Sequence, residues 1–312
     1  MKYRGFDQNL QWFGLQYKIG KKYNKGQIGE LFDDPFDPLR FFSPVCARYC
    51  KASQSYKLIK DEGRIKLVPS KVKLKKEIDV KEMIRDGIKF NIKNTANLKS
   101  GHSVVSTASG DCATCAANGV DSVSAVSGAG GTSVTKGCFG SATISGYHGA
   151  SAVSGDYSVS ASCGEETLSA SIGHCSTSAS SGNECTSVSC GMLSTSVSSG
   201  VNGGSVTFGA GSVSVTNGAG GVAASKGDCS VAVTCGDDSW AIAEGADSVA
   251  IVTGYQSKAK ASLGSAIVVV ERGEYDGKSY PIKAICSAIV DGKKIKADTY
   301  YTVKDGVFVE VK

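Results

Sequence analysis

The sequence lacks any apolar run long enough to cross a membrane as a helix. The first residues, Met1-Lys2-Tyr3-Arg4-Gly5-Phe6-Asp7, also lack the apolar core of a secretory signal. We therefore expect a protein that is made in the cytoplasm and has no membrane partner. In a reducing compartment its 12 cysteines are expected as free thiols and not as a disulfide framework.

Sequence patterns of catalysis and cofactor binding are missing as well. We find no nucleophile elbow, no phosphate-binding loop and no paired-carboxylate site. Cys46 and Cys50 could share one face of a helix, but no second Cys or His pair follows at the spacing of a zinc site. The sequence thus predicts a protein that is not an enzyme. It predicts no catalytic, cofactor-binding or metal residues and leaves any binding residues unknown.

Charge is scarce in the middle of the chain. Residues 101–263 carry 4 Lys/Arg and 11 Asp/Glu, whereas residues 1–100 carry 22 and 11 and residues 264–312 carry 8 and 7. These zones predict three domains: a basic α+β N-terminal domain over 1–100, a repeat domain over 101–263 and a C-terminal β-hairpin domain over 264–312.

What the middle does have is glycine at a fixed interval. Eighteen glycines stand nine residues apart from Gly101 to Gly254. Self-similarity at a short fixed period indicates units that stack on their neighbours. Residues 101–263 are therefore predicted to form a parallel β-solenoid, and the fold class is mainly β.

The pattern within each unit predicts what fills the interior. Numbered from the glycine, position six holds only Ser, Ala or Cys in all eighteen units, while positions five and seven accept residues as large as Trp240 and Lys258. Since strand side chains alternate between faces, the two sets must face opposite ways. We predict that position six points into a thin roll whose buried hydroxyls are hydrogen-bonded. The alternative turns Val and Ala inward and Ser outward.

Each unit is expected to hold a strand at positions four to eight and a turn at positions nine and one to three. The glycine would supply a left-handed or tightly packed corner. Two units per coil would give a flattened two-sheet roll and three a triangular prism. We prefer two, because the coil then closes most simply, and nine coils at ~4.8 Å would give a length of about 43 Å.

The corners show no consistent ligand set. A calcium-binding nonapeptide β-roll needs an Asp at a fixed turn position, whereas here Asp stands at position two or three of only some units. Cys112 and Cys115 have the spacing of a redox motif but lie within the array, so packing is favoured. The three histidines, His102, His148 and His174, fall at corners, and His102 and His174 would be ~19 Å apart along one edge, too far to share an ion.

The flanking regions carry strand and turn signals. In the C-terminal region we predict strands over Ala266–Arg272, Tyr280–Val290, Thr299–Val303 and Val307–Val311, with Asp-Gly turns at 291–292 and 305–306. In the N-terminal region we predict strands over Phe13–Lys18, Tyr56–Ile59 and Arg64–Val68 and helical pieces around Pro38–Phe42 and Val80–Arg85. The acidic loop over 32–38 is interpreted as a solvated connection.

The basic character of the N-terminal region does not predict nucleic-acid binding. Its lysines cluster at 71, 73, 75, 76 and 81, alternating with Val72 and Leu74 as on an exposed strand face. No aromatic-interleaved groove or recognition motif accompanies them.

Several short motifs resemble the N-terminal module of a largely uncharacterised family of phage, prophage and gut bacterial genomes. They are Lys2-Tyr3-Arg4-Gly5-Phe6-Asp7, Gly14-Leu15-Gln16-Tyr17, Gly20-Lys21-Lys22-Tyr23 and Asp37-Pro38-Leu39. In that family the module precedes G-[DNY]-x-S-x-A nonapeptides, to which Gly155-Asp156-Tyr157-Ser158 and Gly254-Tyr255-Gln256-Ser257 are similar. The family's G-F-H-x-C stretch is replaced by Glu30-Leu31-Phe32-Asp33-Asp34. The resemblance implies a mobile-element origin and no known activity.

A looser likeness links Ser248-Val249-Ala250-Ile251 to the heads of trimeric autotransporter adhesins, and it concerns architecture only.

Three function hypotheses are consistent with these patterns. The first is a non-catalytic structural or binding protein of a phage or prophage, such as a decoration, fibre or adhesin component of the virion. Its partners would be proteins of the virion or of a host surface that contact the low-charge solenoid faces, or further copies of the chain. The second is a soluble protein that stays in the host cytoplasm and captures a host factor or small molecule through the N-terminal domain. The third, ice binding, is disfavoured because the threonine rows are broken by Trp240, Leu168 and Gly204.

Overall fold

The computed structural model describes residues 2–6, 11–12, 15–16, 18–24, 48–61, 64–94 and 98–311. The chain divides into two compact units, Met1–Phe90 and Asn91–Lys312. No helix in the described ranges is long and apolar enough to span a membrane.

The N-terminal unit contains an antiparallel sheet of four strands and a short two-stranded hairpin. Its strands are β1 (Lys2–Phe6), β2 (Gln11–Trp12), β3 (Leu15–Gln16), β4 (Lys22–Asn24), β5 (Arg48–Asp61) and β6 (Arg64–Ile78), with sheet order β1-β5-β6-β4 and β2 paired to β3. Helix α1 follows over Val80–Asn94. Asp79 caps the helix by accepting a hydrogen bond from the amide nitrogen of Glu82. Ile84 and Ile88, four residues apart on one face, are buried.

The predicted N-terminal elements are confirmed where the structure describes them. The strands predicted over Tyr56–Ile59 and Arg64–Val68 lie within β5 and β6, which are longer than expected, and the helix predicted from Val80 continues to Asn94. Of the strand predicted over Phe13–Lys18, Leu15–Gln16 is strand. The helical piece at 38–42 and the acidic loop at 32–38 lie outside the described residues.

The lysine run is only partly on a strand. Lys73, Lys75 and Lys76 are exposed on β6, in agreement with the prediction. Lys81, which we grouped with them, lies on α1 instead, because the strand ends at Ile78 and the Asp79 cap starts the helix. Helix position and not strand alternation therefore sets its exposure.

The second unit is a parallel β-solenoid of about ten turns with two sheets. Its strands are β7 (Leu98–Ser100), β8 (Val105–Ser109), β9 (Thr114–Asn118), β10 (Val123–Ser127), β11 (Thr132–Lys136), β12 (Ser141–Ser145), β13 (Ala150–Ser154), β14 (Val159–Cys163), β15 (Leu168–Ile172), β16 (Thr177–Ser181), β17 (Thr186–Cys190), β18 (Thr195–Ser199), β19 (Gly204–Thr207), β20 (Val213–Asn217), β21 (Val222–Ser225), β22 (Val231–Thr234), β23 (Trp240–Ala243), β24 (Val249–Val252), β25 (Lys258–Ala261), β26 (Ala266–Arg272), β27 (Ile282–Ile289), β28 (Tyr300–Lys304) and β29 (Val307–Val311). Even-numbered strands from β8 to β26, extended by β27, form an 11-stranded sheet. Odd-numbered strands from β7 to β25, extended by β28 and β29, form a 12-stranded sheet.

Strand pairing fixes the size of a coil. Neighbouring strands pair residues 18 apart, as Val123 with Ser141 and Ser133 with Ser151. One coil therefore takes two nine-residue units, which confirms the flattened roll and rules out the triangular prism. About ten turns at ~4.8 Å give a length near 48 Å, one coil more than expected. Strands start at position five and not at four, because the turn takes the first four positions of each unit.

The interior is as narrow as the small residues predict. All eighteen side chains at position six, from Ser106 to Ala259, are fully buried. Serines of the two sheets bond directly across the lumen, with Oγ–Oγ distances of 2.8 Å between Ser151 and Ser160 and between Ser205 and Ser214. The inward placement of position six is confirmed, and the alternative with outward serines is wrong.

The repeated glycine is required by stacking more than by handedness. A Cβ on Gly155 would overlap the carbonyl oxygen of Gly137, one coil back, and the same overlap recurs at each repeat glycine from Gly119 to Gly254. The left-handed corner residue is at position three, for example Phe139 with φ 56° and Tyr157 with φ 55°. Position one is therefore glycine because two coils approach there too closely for any side chain.

The C-terminal strands continue the solenoid sheets. The predicted strands are found with small shifts at Tyr280–Val290 and Thr299–Val303, and β26 and β29 match their predicted bounds. β27 pairs antiparallel with β26, and β28 pairs with both β25 and β29. Residues 264–312 thus add strands to both sheets instead of forming a sheet of their own. The buried Glu271 carboxylate joins the two ends by accepting hydrogen bonds from the amides of Asp305 and Gly306, at 2.9 and 2.8 Å.

Candidate functional site

The outer face of the 11-stranded sheet carries no charge up to the β-bulge that separates Glu271 from Arg272. We call this surface the uncharged face and define it by the outward residues of its eleven strands on the solenoid side of that bulge. These are Val105, Thr107, Ser109, Val123, Ala125, Ser127, Ser141, Thr143, Ser145, Val159, Ala161, Cys163, Thr177, Ala179, Ser181, Thr195, Val197, Ser199, Val213, Val215, Asn217, Val231, Val233, Cys235, Val249, Ile251, Thr253, Ala266, Val268, Val270, Ile285, Ser287 and Ile289. None of these 33 residues is acidic, basic or aromatic.

The uncharged face is open to solvent. Every one of its side chains except Val270 is at least partly exposed, and exposure reaches 56% at Val105 and 68% at Ile289, at opposite ends of the sheet. A solvent-facing surface typically has about 25–35% charged residues, which would place about eight to twelve charges among 33 positions. Their complete absence from one side of a ten-turn solenoid is the main chemical feature of this unit.

A ladder of serines holds the strands of this face in register. At position four, directly before five successive strands, lie Ser194, Ser212, Ser230, Ser248 and Ser265. Along the ladder each amide nitrogen donates to the next Oγ at 3.0–3.2 Å. Ser212, Ser230 and Ser248 in turn donate to the carbonyl of a repeat glycine one coil earlier. Because every coil repeats this contact, equivalent side chains line up in straight columns.

The opposite sheet differs in charge and in burial. Its outward side chains include Lys226 and Glu244, which form an ion pair at 3.2 Å, and Lys258, which lies over the Trp240 ring at 5.8 Å. Other outward residues of the same sheet, Val134 and Val188 among them, are fully buried. The 12-stranded sheet therefore offers solvent a smaller and more polar outer surface.

One edge of the roll carries exposed apolar side chains. Phe139 and Tyr157 stack at a centroid distance of 5.4 Å, and Met192 and Leu193 are 51% and 65% exposed. These residues occupy the corner that leads into the strands of the uncharged face, so they extend its apolar character around that edge. We call these four residues the apolar corner.

The aspartates of the corners serve the backbone. The Asp156 carboxylate accepts a hydrogen bond from the amide of His174 at 2.8 Å, and Asp228 and Asp237 do the same for the amides of Ala246 and Tyr255, one coil later. This explains why Asp recurs at position two without forming a regular column. Among the described residues, no group of three His, Cys, Asp or Glu side chains could hold a metal ion.

The cysteines and histidines singled out in the sequence do not form a common site. Cys112 is exposed at a corner, whereas Cys115 is buried and packs with Val126 and Ile144. Burial raises the pKa of the Cys115 thiol, which opposes thiolate chemistry there.

The histidines lie apart from one another on the corners. His148 pairs with Glu166 at 3.0 Å, while His102 and His174 lie at the other edge, four coils apart. Cys46 lies outside the described residues.

The contrast between the two outer faces was not predicted from the sequence. Low charge was evident along the whole repeat region, but two units per coil mean that alternate units face opposite ways. The outward charges Lys136, Lys226, Glu244, Lys258 and Lys260 all fall in units of the 12-stranded sheet. Sorting the units into odd and even ones would have revealed the uncharged face from the residues alone.

Comparison with known proteins concerns only the N-terminal region. Residues 1–86 match the family model described as a Domain of unknown function, DUF7666. The match ends before the first repeat glycine, Gly101, so it does not include the solenoid. No curated protein and no solved structure matches the chain.

Proposed function

We propose that this chain is a non-catalytic structural or binding protein of a phage or prophage, built into the virion as a decoration, fibre or adhesin component. The phage assignment rests on the resemblance of the N-terminal motifs and the repeats to a phage and prophage family. The uncharged face is the observation that carries the structural role.

An uncharged β face is an unusual choice for a surface that stays in water. Soluble sheets normally carry charges that prevent unwanted association. Bringing an uncharged face against a protein partner removes apolar area from water without stripping water from any charged group. The uncharged face, with the apolar corner beside it, therefore suits permanent contact with protein surfaces better than permanent solvation.

The chemistry of the described residues supports a role without catalysis. The corner carboxylates are occupied as backbone acceptors, Glu271 holds the last turn, and the thiol of Cys115 is buried. These groups stabilise the solenoid and are not gathered in one concave site.

Mass spectrometry of purified particles tests the virion role. The chain is expected to remain with particles through density-gradient purification and to appear at a fixed copy number per particle. A host cytoplasmic protein of similar abundance serves as the contamination control. Absence of the chain from particles, with abundant chain in the infected lysate, would refute the virion role.

A second function is favoured by the limits of the family match. DUF7666 covers residues 1–86 and stops before the repeats, which makes the N-terminal unit a module that can carry its own binding activity. In this alternative the protein stays in the host cytoplasm and captures a host factor or small molecule through that module. Early expression without particle association would favour it over the virion role.

A further inference from the structure

We infer that the uncharged face binds the same face of a second copy of this chain, with the two solenoid axes antiparallel. The inference deepens the proposed function and rests on its claim that this face is an association surface. It names the partner and the symmetry.

The size of the face fits a stable dimer. Eleven strands span about 48 Å, and the outward positions five to nine span about 13 Å along each strand. This rectangle is on the order of 600–700 Å² per copy, or about 1,300 Å² in total for two stacked faces. Specific protein interfaces bury about 1,200–2,000 Å² in total, so the face is large enough without help from other regions.

A second copy matches the spacing of the face. Side chains repeat every ~4.8 Å along the solenoid axis, and two such surfaces can interdigitate over their whole length only when their periods agree. Another copy has that period and is also uncharged, so no unpaired charge is buried. A globular partner with an irregular surface would match only a few coils.

Side-chain size selects the antiparallel arrangement. In the central column, at position seven, the first five strands carry small residues and the last five mostly larger ones: Thr107, Ala125, Thr143, Ala161 and Ala179, then Val215, Val233, Ile251, Val268 and Ser287. A two-fold axis along the central strand β18 reverses the strand order and places the small half of one copy over the large half of the other. Large residues then face small ones along the column, as close packing of facing layers requires. Stacking with parallel axes would instead pair small with small at one end and large with large at the other.

The same axis brings two cysteines together. Cys163 follows two strands before the centre and Cys235 two strands after it, both at position nine and both exposed. Reversal about β18 places Cys163 of each copy opposite Cys235 of its partner, across a sheet separation of ~10 Å. Within one chain the two thiols are about four strand spacings, ~19 Å, apart.

The first test is the mass of the full chain in solution. Sedimentation or light scattering should give twice the 32.1 kDa of one chain. Val197→Lys places two facing charges on the two-fold axis and should weaken the dimer about 100-fold or more. Outward positions accept lysine, as Lys260 at position seven shows, so this variant should fold. Val201→Lys, on the corner just after the same strand, is the matched control and should leave the dimer intact.

The second test is a bifunctional maleimide that spans about 8 Å. It should link Cys163 to Cys235 between copies, and Cys163→Ser should remove the product. A monomer at about 100 μM, a dimer that resists Val197→Lys, or links joining Cys163 to Cys163 would each overturn the inference. A dimeric chain that is absent from particles would uphold this inference and refute the virion role. A monomeric chain found in particles would do the reverse.

Discussion

Two buried serines should respond in opposite ways to the same substitution. Ser205 and Ser225 both lie inside the roll on neighbouring coils of the 12-stranded sheet, and both are fully buried. The Ser205 hydroxyl lies 2.8 Å from both Ser214 Oγ and Thr216 Oγ1. The Ser225 hydroxyl has no hydrogen-bond partner. Equal burial with unequal pairing isolates the contribution of the hydroxyl bonds.

The expected magnitudes follow from the pairing. Ser205→Ala removes two hydroxyl contacts, while Ser214 and Thr216 keep backbone carbonyl acceptors, so no donor is left unpaired. At about 1 kcal/mol per net hydrogen bond, we expect a loss of about 1–2 kcal/mol in the free energy of unfolding. Ser225→Ala removes a buried hydroxyl that had no partner, so the unfolding free energy should rise by about 1 kcal/mol. The two variants should differ by about 2–3 kcal/mol.

Guanidinium denaturation followed by far-UV circular dichroism measures both values. Because a repeat array can unfold in parts, hydrogen exchange of the strands flanking each site provides the local measurement. If Ser225→Ala destabilises the protein as much as Ser205→Ala, hydroxyl pairing does not control the stability of the interior. The narrow lumen would then depend on side-chain volume alone.

Two further predictions concern the corners and the end of the solenoid. Gly155→Ala should disrupt stacking and cost at least about 3 kcal/mol, since its Cβ would overlap the backbone of Gly137, whereas the neighbouring Ser154→Ala should cost less than about 0.5 kcal/mol by the same denaturation assay. Bonds from the amides of the β28–β29 turn hold the pKa of Glu271 below its usual 4.5, so its carboxylate contributes stability above that pH and loses it as the pH falls through the lowered pKa. Melting temperatures of wild type and Glu271→Gln should therefore differ most at pH 6–7 and converge toward pH 3, and a constant difference would contradict this role.

The repeat region was predictable because one local rule is applied eighteen times. Position six tolerates only the smallest side chains, and that restriction alone identified the inside, the thin lumen and the sheet layers. The details that escaped prediction are relations between units. Which units share a face depends on the number of residues per coil, and the reason for Gly155 lies in Gly137, 18 residues away.

The ends of the chain were harder to predict because they have no internal repetition. β26 and β29 were correctly bounded, but strand signals alone could not show that β27 and β28 join different sheets of the solenoid. In the same way, alternation in the lysine run suggested a strand through Lys81, whereas the Asp79 cap ends it. A single side-chain contact there outweighs the local pattern.

The two-unit coil makes length a quantity that can change only in certain steps. Removing 18 residues would shorten the molecule and leave every later side chain on its original side. Removing nine would rotate everything downstream by half a turn, moving Lys226, Lys258 and Trp240 onto the smooth side. Natural variants of this protein should therefore grow or shrink by whole coils, and laboratory versions of any desired length can be made by the same rule.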